Sequence, residues 1–265
     1  MNANTGNLIT DNEKLTTNML TGISVLFSGG PDSTLAALIA LQRAKKVHLL
    51  TFHHKKMGKV GKHIAVVNEM KRLFGEDRVI NYSGDTNDLF NRFYLNNFSK
   101  KFLKYRTFYV PWICGACKLA MHSSAIKYNL ENGINTLYDG ANEESNPYFV
   151  DQTESYINVM KMFFKTEYGM DYDCPVYNIK DTDKECGKYG LKTTENTKQE
   201  HFVFSTQHTC LNGVLVHLHS RFYYKILRGK KRTEKLGEIF LSESLKENIS
   251  LFPKKFCDKF GARNK

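Results

Sequence analysis

Apolar and polar positions along this chain follow two alternating rhythms. Short β-branched runs, "ISVLF" (23–27), "KVHLLTFHH" (46–54), "RVINYS" (78–83) and "NTLYDG" (135–140), read as buried strands. Between them lie stretches with apolar residues three and four apart, which predict helices over 32–44, 61–75, 88–105, 117–131, 153–165 and 181–189. "PVYNI" (175–179) is expected as a last short strand. Strands that alternate with helices at this spacing predict an α/β fold, a doubly wound, Rossmann-like parallel sheet covered on both faces. Ligands of such sheets bind at the carboxyl ends of the strands, near the point where strand order reverses.

The first strand runs into "FSGGPDST" (27–34) and then directly into the first helix. Glycines at this turn let backbone N–H groups close on an anion with no Cβ in the way, and the helix N-terminus adds partial positive charge. Ser28, Ser33 and Thr34 bring hydroxyls that can bond phosphate oxygens, and Asp32 or Ser33 can cap the helix. The same residues would also make a plain glycine turn. The stretch has neither the lysine of G-x-x-x-x-G-K-[ST] nor the spacing of G-x-G-x-x-G.

Composition narrows the class. With 265 residues, 41% hydrophobic and 25% charged, the chain suits one large domain with a tail. No apolar run approaches the roughly 20 residues that cross a bilayer. Residues 1–21 are polar and lack the plan of a secretory signal, so a loosely ordered leader on a cytoplasmic protein with no membrane partner is expected. Six cysteines are too few for a stapled secreted scaffold, and close pairs point to metal or redox chemistry. The formal charge of +11 favours an anionic partner, although solubility alone would also account for it. Residues 211–265 hold 13 Lys and Arg against 5 Asp and Glu. Within them "RFYYKILRGKKR" (221–232) interleaves aromatics with bases, as suits stacking on bases and pairing with phosphates, or equally a surface element with its aromatics on the core.

"SGGPDS" (28–33) resembles the S-G-G-x-D-S signature of the PP-loop, or N-type ATP pyrophosphatase, superfamily, a set of adenine nucleotide alpha-hydrolase-like folds. The resemblance implies cleavage of ATP between its α and β phosphates, giving an adenylated substrate and pyrophosphate. It implies that Ser28, Gly29, Gly30, Asp32, Ser33 and Thr34 bind the triphosphate, with Asp32 helping Mg²⁺. It places adenine near the end of the second strand, at Thr51, Phe52 and His53, although His53 and His54 would also serve as ordinary strand-end residues. "YDGAN" (138–142) is similar to the turn that lines the nucleotide and substrate pocket in this superfamily, which brings in Asp139, Gly140 and Asn142; Asp-Gly is also a common β-turn pair. The expected division is a leader 1–21, a PP-loop domain 22–215 and a basic extension 216–265.

Two branches of the superfamily fit, with sulfur transfer the expected one and nitrile or amide formation its alternative. Cys114 and Cys117 form C-x-x-C at the mouth of a predicted helix, whose dipole favours a thiolate, and Cys210 follows in "STQHTCLNG" (205–213). This set resembles the three-cysteine tRNA thiolases and implies sulfur transfer, with Cys114, Cys117 and Cys210 holding a [4Fe-4S] cluster or zinc, or carrying a persulfide from a sulfur donor. Lys118, beside the pair, would neutralise developing phosphate charge or be an ordinary exposed lysine. The order of "YVP", "GAN", "PYFVDQTESYINVMKMFF", "CPVYNIKDTDKECGKYGL" and "TQHTCLNG" instead resembles the 7-cyano-7-deazaguanine synthase family of queuosine biosynthesis, which makes a nitrile from a carboxylated deazaguanine with ATP and ammonia. The chain departs from that family in keeping only Cys257 near its C-terminus, where the family has a cysteine-rich zinc site, and in carrying C-x-x-C where the family has Arg-Asn. The acceptor is then tRNA or a nucleobase-type small molecule, and the resemblance implies a homodimer. A third alternative is a silent nucleotide-binding module. Cys174 and Cys186 are expected as packing residues, since buried free cysteine behaves as a small hydrophobe. His122, His201, His208, His217 and His219 are expected as ordinary histidines rather than ligands or acid/base groups, with His208, two residues from Cys210, the readiest exception.

Overall fold

The computed structural model describes residues 19–55, 63–96, 98–106, 110–143, 149–191, 215–216, 218–219 and 230–251. Five strands form one parallel sheet: β1 (Leu20–Leu26), β2 (Ala44–His53), β3 (Val79–Asp85), β4 (Thr136–Tyr138) and β5 (Asp171–Asp173), in the order β3-β2-β1-β4-β5. The order reverses between β1 and β4, so a crevice opens at their carboxyl ends. This is the doubly wound α/β architecture expected from the sequence.

One face of the sheet carries α1 (Pro31–Arg43), α2 (His63–Phe74) and α7 (Thr182–Gly187), which close over Ile23, Val25, Val47 and Leu49. The other face carries α5 (Trp112–Asn132), α6 (Glu154–Tyr168) and α8 (Lys230–Leu251), whose apolar residues meet around Trp112, Leu119, Phe164 and Phe240. Residues 88–105, expected as one helix, divide into α3 (Asn87–Phe90), a π-helical turn (Asn91–Leu95) and α4 (Phe98–Tyr105).

Three departures from the expected elements have local causes. Helix α5 begins at Trp112, five residues before the expected start, with Pro111 at its N-cap. There the Trp112 ring lies against Gly115, where a Cβ would come within 2.6 Å of the indole. The last strand is "DYD" (171–173), which pairs with β4 from Thr136↔Asp171 to Tyr138↔Asp173. "PVYNI" folds into turns instead, with Tyr177 N bonding Cys174 O at 3.1 Å and Ile179 N bonding Val176 O at 3.0 Å. And α1 is capped by Gly30 with Pro31 following, not by the Asp32 or Ser33 side chain. Pro31 there has its φ already set for a helix and lacks an N–H that would otherwise go unpaired.

The longest described part of the basic tail, α8, is a docked helix. Phe240 is 2% exposed, with its ring 5.3 Å from Tyr105 and 6.0 Å from Trp112. Asn248 donates to Ser123 Oγ at 2.7 Å, and Glu243 accepts from Tyr105 and Lys104. Residues 221–229, with all three of the interleaved aromatics, lie outside the described residues. Among the described residues, no helix is long and apolar enough to cross a membrane. Phe240→Ala should therefore cost about 3–5 kcal/mol, as for a core aromatic, read from urea unfolding; a loss under 1 kcal/mol would mean α8 is not part of the folded unit.

Candidate active site

The glycine loop occupies the first βα turn of the sheet. Gly29 has φ +80°, and a Cβ there would lie 2.8 Å from His63 Cα at the head of α2, so only glycine fits without displacing one element. Ser28 and Ser33 interlock across the loop: Ser33 Oγ accepts from Ser28 N at 3.2 Å and bonds Ser28 Oγ at 3.1 Å, while Ser28 Oγ accepts from Gly30 N at 3.3 Å. Thr34 N bonds Gly30 O at 3.0 Å and starts the helix. Because no side chain caps α1, its first-turn N–H groups keep the anion-attracting character of a helix N-terminus.

The neighbouring strand ends are fastened to this loop. Thr51 Oγ1 donates to Phe27 O at 2.8 Å, and Phe27 N bonds Leu50 O at 2.8 Å, fixing the end of β2 beside the loop. Phe52 is buried against Tyr82, and His53 accepts the Thr86 N–H and hydroxyl at its carbonyl. On the other side, Gly140 lies so close to α1 that a Cβ would come 2.7 Å from Ser33 N. Asn142 reaches across to donate to Asp32 Oδ1 at 3.4 Å and to Ile179 O at 3.1 Å. Thr182 at the head of α7 donates to the same Asp32 oxygen at 2.6 Å. The structure thus brings the expected Asp32, Ser33, Gly140 and Asn142 into contact, with Thr182 as a partner that the sequence did not single out.

Asp139 is buried, with its carboxylate gripped from three sides. Lys118 Nζ lies 2.7 Å from Oδ1, Tyr172 OH donates to Oδ2 at 2.8 Å and His122 Nε2 donates to Oδ2 at 3.3 Å. Burial alone would raise its pKa, but the Lys118 charge and the His122 bond hold it well below the usual carboxylate range. Burial would neutralise Lys118, yet Asp139 and Asp151 raise its pKa and keep it charged. Burial lowers the pKa of His122 against the pull of Asp139. Lys118 is thus no surface lysine, with only 14% of its side chain exposed. Nearby Asp151 is buried with Oδ1 lacking a hydrogen-bond partner, and burial raises its pKa. Neither His122 nor Tyr172 nor Asp151 carries a local motif; only the fold brings them to Asp139.

The thiols divide into two kinds. Cys174 and Cys186 are buried, and burial pushes both up to about 12, as packing residues should behave. Cys114 and Cys117 are half-buried on the first turns of α5, with Cys117 Sγ 3.4 Å from His54 Nε2. Cys210, His208 and Cys257 lie outside the described residues. Among the described residues, no group of three His, Cys, Asp or Glu side chains is arranged to hold a metal. Two thiols alone do not make up a cluster or zinc donor set. The loop, by contrast, fits a nucleotide triphosphate, and Asp32, an oxygen ligand fixed by two hydrogen bonds at the head of α1, fits the hard Mg²⁺ that accompanies it.

A parallel sheet with an anion-binding glycine turn at its switch point, in the S-G-G-x-D-S pattern, defines a PP-loop domain of the ATP pyrophosphatase superfamily. The family model described as queuosine biosynthesis protein QueC matches residues 23–215, well over half of the 265-residue chain, and the chain belongs to that family. A search of curated proteins finds no match. Among solved structures, the U34-tRNA thiolase NcsA from Methanococcus maripaludis with its [4Fe-4S] cluster is 13% identical, with 87% of this chain and 75% of that one covered and a TM-score of 0.43. A predicted subunit of tRNA methyltransferase from Methanocaldococcus jannaschii is 16% identical, with 63% and 75% covered and a TM-score of 0.39.

Breaking the buried pair should be costly. Asp139→Asn leaves Lys118 buried without its directly bonded counter-charge, and is expected to lose about 3–5 kcal/mol at pH 7 by urea unfolding. The Asp139 pKa is lowered on folding, so its stabilisation is present above the unfolded value near 3.9 and lost as pH falls through and below it. The gap between wild type and variant should accordingly narrow below about pH 4; a gap independent of pH would contradict the charged assignment.

Proposed function

We propose that this chain uses ATP to adenylate a carboxyl or carbonyl oxygen of an anionic, nucleobase-type acceptor and hands the activated carbon to a nitrogen nucleophile such as ammonia. The observation that carries this reading is the glycine loop at the β1 switch point, within a segment that matches the QueC family from residue 23 to 215.

In the proposed reaction Ser28, Gly29, Gly30, Ser33 and Thr34 hold the triphosphate. Asp32 would hold Mg²⁺, which when bound draws charge off the phosphates. Thr51, Phe52 and His53 at the end of β2 would border the adenine, and Gly140 and Asn142 the other wall. An acceptor oxygen attacks the α-phosphorus, the bond from Pα to the bridging oxygen breaks, and pyrophosphate leaves. Lys118, kept charged by Asp139, would stabilise negative charge on the acceptor from within the crevice. The nitrogen lone pair then attacks the activated carbon and AMP departs. Adenylation matters because a carboxylate oxygen is a poor leaving group and AMP a good one.

A second reading takes sulfur as the nucleophile. It is favoured by the two thiols of Cys114 and Cys117 on one helix at the crevice, and would need Cys210 as well as a sulfur donor. Either acceptor class, a small carboxylated base or tRNA, suits the basic chain, and a dimer is compatible with both.

Incubation with Mg²⁺, ATP, a carboxylated deazaguanine and either ¹⁵N-ammonium or sulfide separates the readings by product mass. Incorporation of ¹⁵N is expected. A sulfur-bearing product would shift the assignment to the second reading, and intact ATP under both conditions would leave only a nucleotide-binding module.

A further inference from the structure

We infer that Cys117 and His54 form a nucleophilic thiol–imidazole pair, and that the activated acceptor passes through a thioester on Cys117 before the nitrogen nucleophile receives it. The inference rests on the adenylation proposed above and adds a covalent step to it.

Geometry makes the pair more than two nearby residues. Cys117 Sγ and His54 Nε2 are 3.4 Å apart, within sulfur hydrogen-bonding distance. The imidazole is 2% exposed and lies flat on Phe90, with centroids 4.3 Å apart and planes 5° from parallel. Phe90 is itself 1% exposed, so the stack holds the ring plane with little freedom. Cys117 in contrast is half-buried and in no disulfide. Although Cys117 also packs against the edge of the core, a fixed base beside a partly exposed thiol is the arrangement that activates a cysteine nucleophile.

Position in the fold puts that thiol at the carboxyl-end side of the sheet, where the glycine loop also lies. His54 directly follows β2, while Lys118, the residue after Cys117, is clamped to Asp139 just past β4. In the sheet β1 lies between β2 and β4, and the glycine loop leaves the end of β1. Helix α5 is therefore fastened on both sides of the loop-bearing strand, by Cys117 to His54 on one side and by Lys118 to Asp139 on the other. An acyl group adenylated at the loop would form in the same crevice. Cys174 and Cys186, whose buried thiols are pushed up to about 12, lack this access.

The chemistry balances without an oxidant or reductant. Sγ attacks the acyl carbon of the acyl adenylate, the C–S bond forms, the C–O bond to the phosphate breaks and AMP leaves. The thiol proton passes to His54 Nε2. Ammonia or another amine then attacks the thioester carbon, the C–N bond forms and the C–S bond breaks. The departing sulfur recovers its proton from His54, and the proton lost by the amine goes to solvent.

The test withholds the amine. Wild-type protein with Mg²⁺, ATP and a carboxylated deazaguanine, free of ammonium, is quenched in acid, and both pyrophosphate and intact protein mass are measured. The expected result is one pyrophosphate per chain and a mass gain equal to the acceptor less one water, mapped to Cys117 and removed by neutral hydroxylamine. Cys117→Ala should lack the adduct. His54→Gln should slow adduct formation by about 10²-fold, the low end for a positioned base, while the first pyrophosphate is still released; a merely structural histidine would slow both together. Pyrophosphate release with no adduct, or an adduct on another residue, overturns the thioester while leaving adenylation intact. If no pyrophosphate forms, the adenylation reading itself fails.

Discussion

The crevice is organised around one buried carboxylate. Asp139 sits just past β4, and its bonds to Lys118, His122 and Tyr172 tie α5 and β5 to the strand end that borders the glycine loop. Such a pair contributes little net stability, because two charges must leave water for one attraction. Its geometry is specific: Asp139 meets α5 at Lys118, on a helix whose Trp112, Leu119 and Ile126 are packed in the core. The residue before Lys118, Cys117, lies 3.4 Å from His54, so neighbouring residues of α5 meet the ends of two different strands.

Close approach of backbone to backbone is the second constraint. Gly140 against Ser33 and Gly29 against His63 allow β4, α1 and α2 to converge on the loop, leaving N–H groups and small hydroxyls as the lining. The Ser28 and Ser33 hydroxyls satisfy one another there, a network that a phosphate would have to exchange for its own oxygens. Family membership and this lining agree on a nucleotide phosphate as the guest. The chain's departure from the deazaguanine synthase pattern, C-x-x-C in place of Arg-Asn, falls on the first turns of α5, where the thiol–imidazole pair lies.

The loop and the sheet were legible because their signals are local. A β-branched run, a glycine turn and an amphipathic helix need only about 20 consecutive residues to be recognised. Strand β5 was hidden because "DYD" has one apolar residue between two aspartates, and only its alignment with β4 makes it a strand. The early start of α5 depends on Trp112 folding back over Gly115, a contact that periodicity does not report. The Asp139 cluster was half visible: Lys118 and Asp139 were singled out separately, but nothing in the sequence joins positions 118, 122, 139 and 172. Likewise α8 is polar enough to read as an appended basic tail, and only its packing of Phe240, Leu241 and Leu245 shows that it completes the core.

The central claim, that the loop holds ATP so that an acceptor oxygen displaces pyrophosphate from the α-phosphorus, leaves a mark on the products. With the acceptor carboxylate labelled with ¹⁸O, turnover in ordinary water should yield AMP that carries one acceptor-derived ¹⁸O, read by mass spectrometry. ADP with orthophosphate, or AMP free of the label, would contradict it.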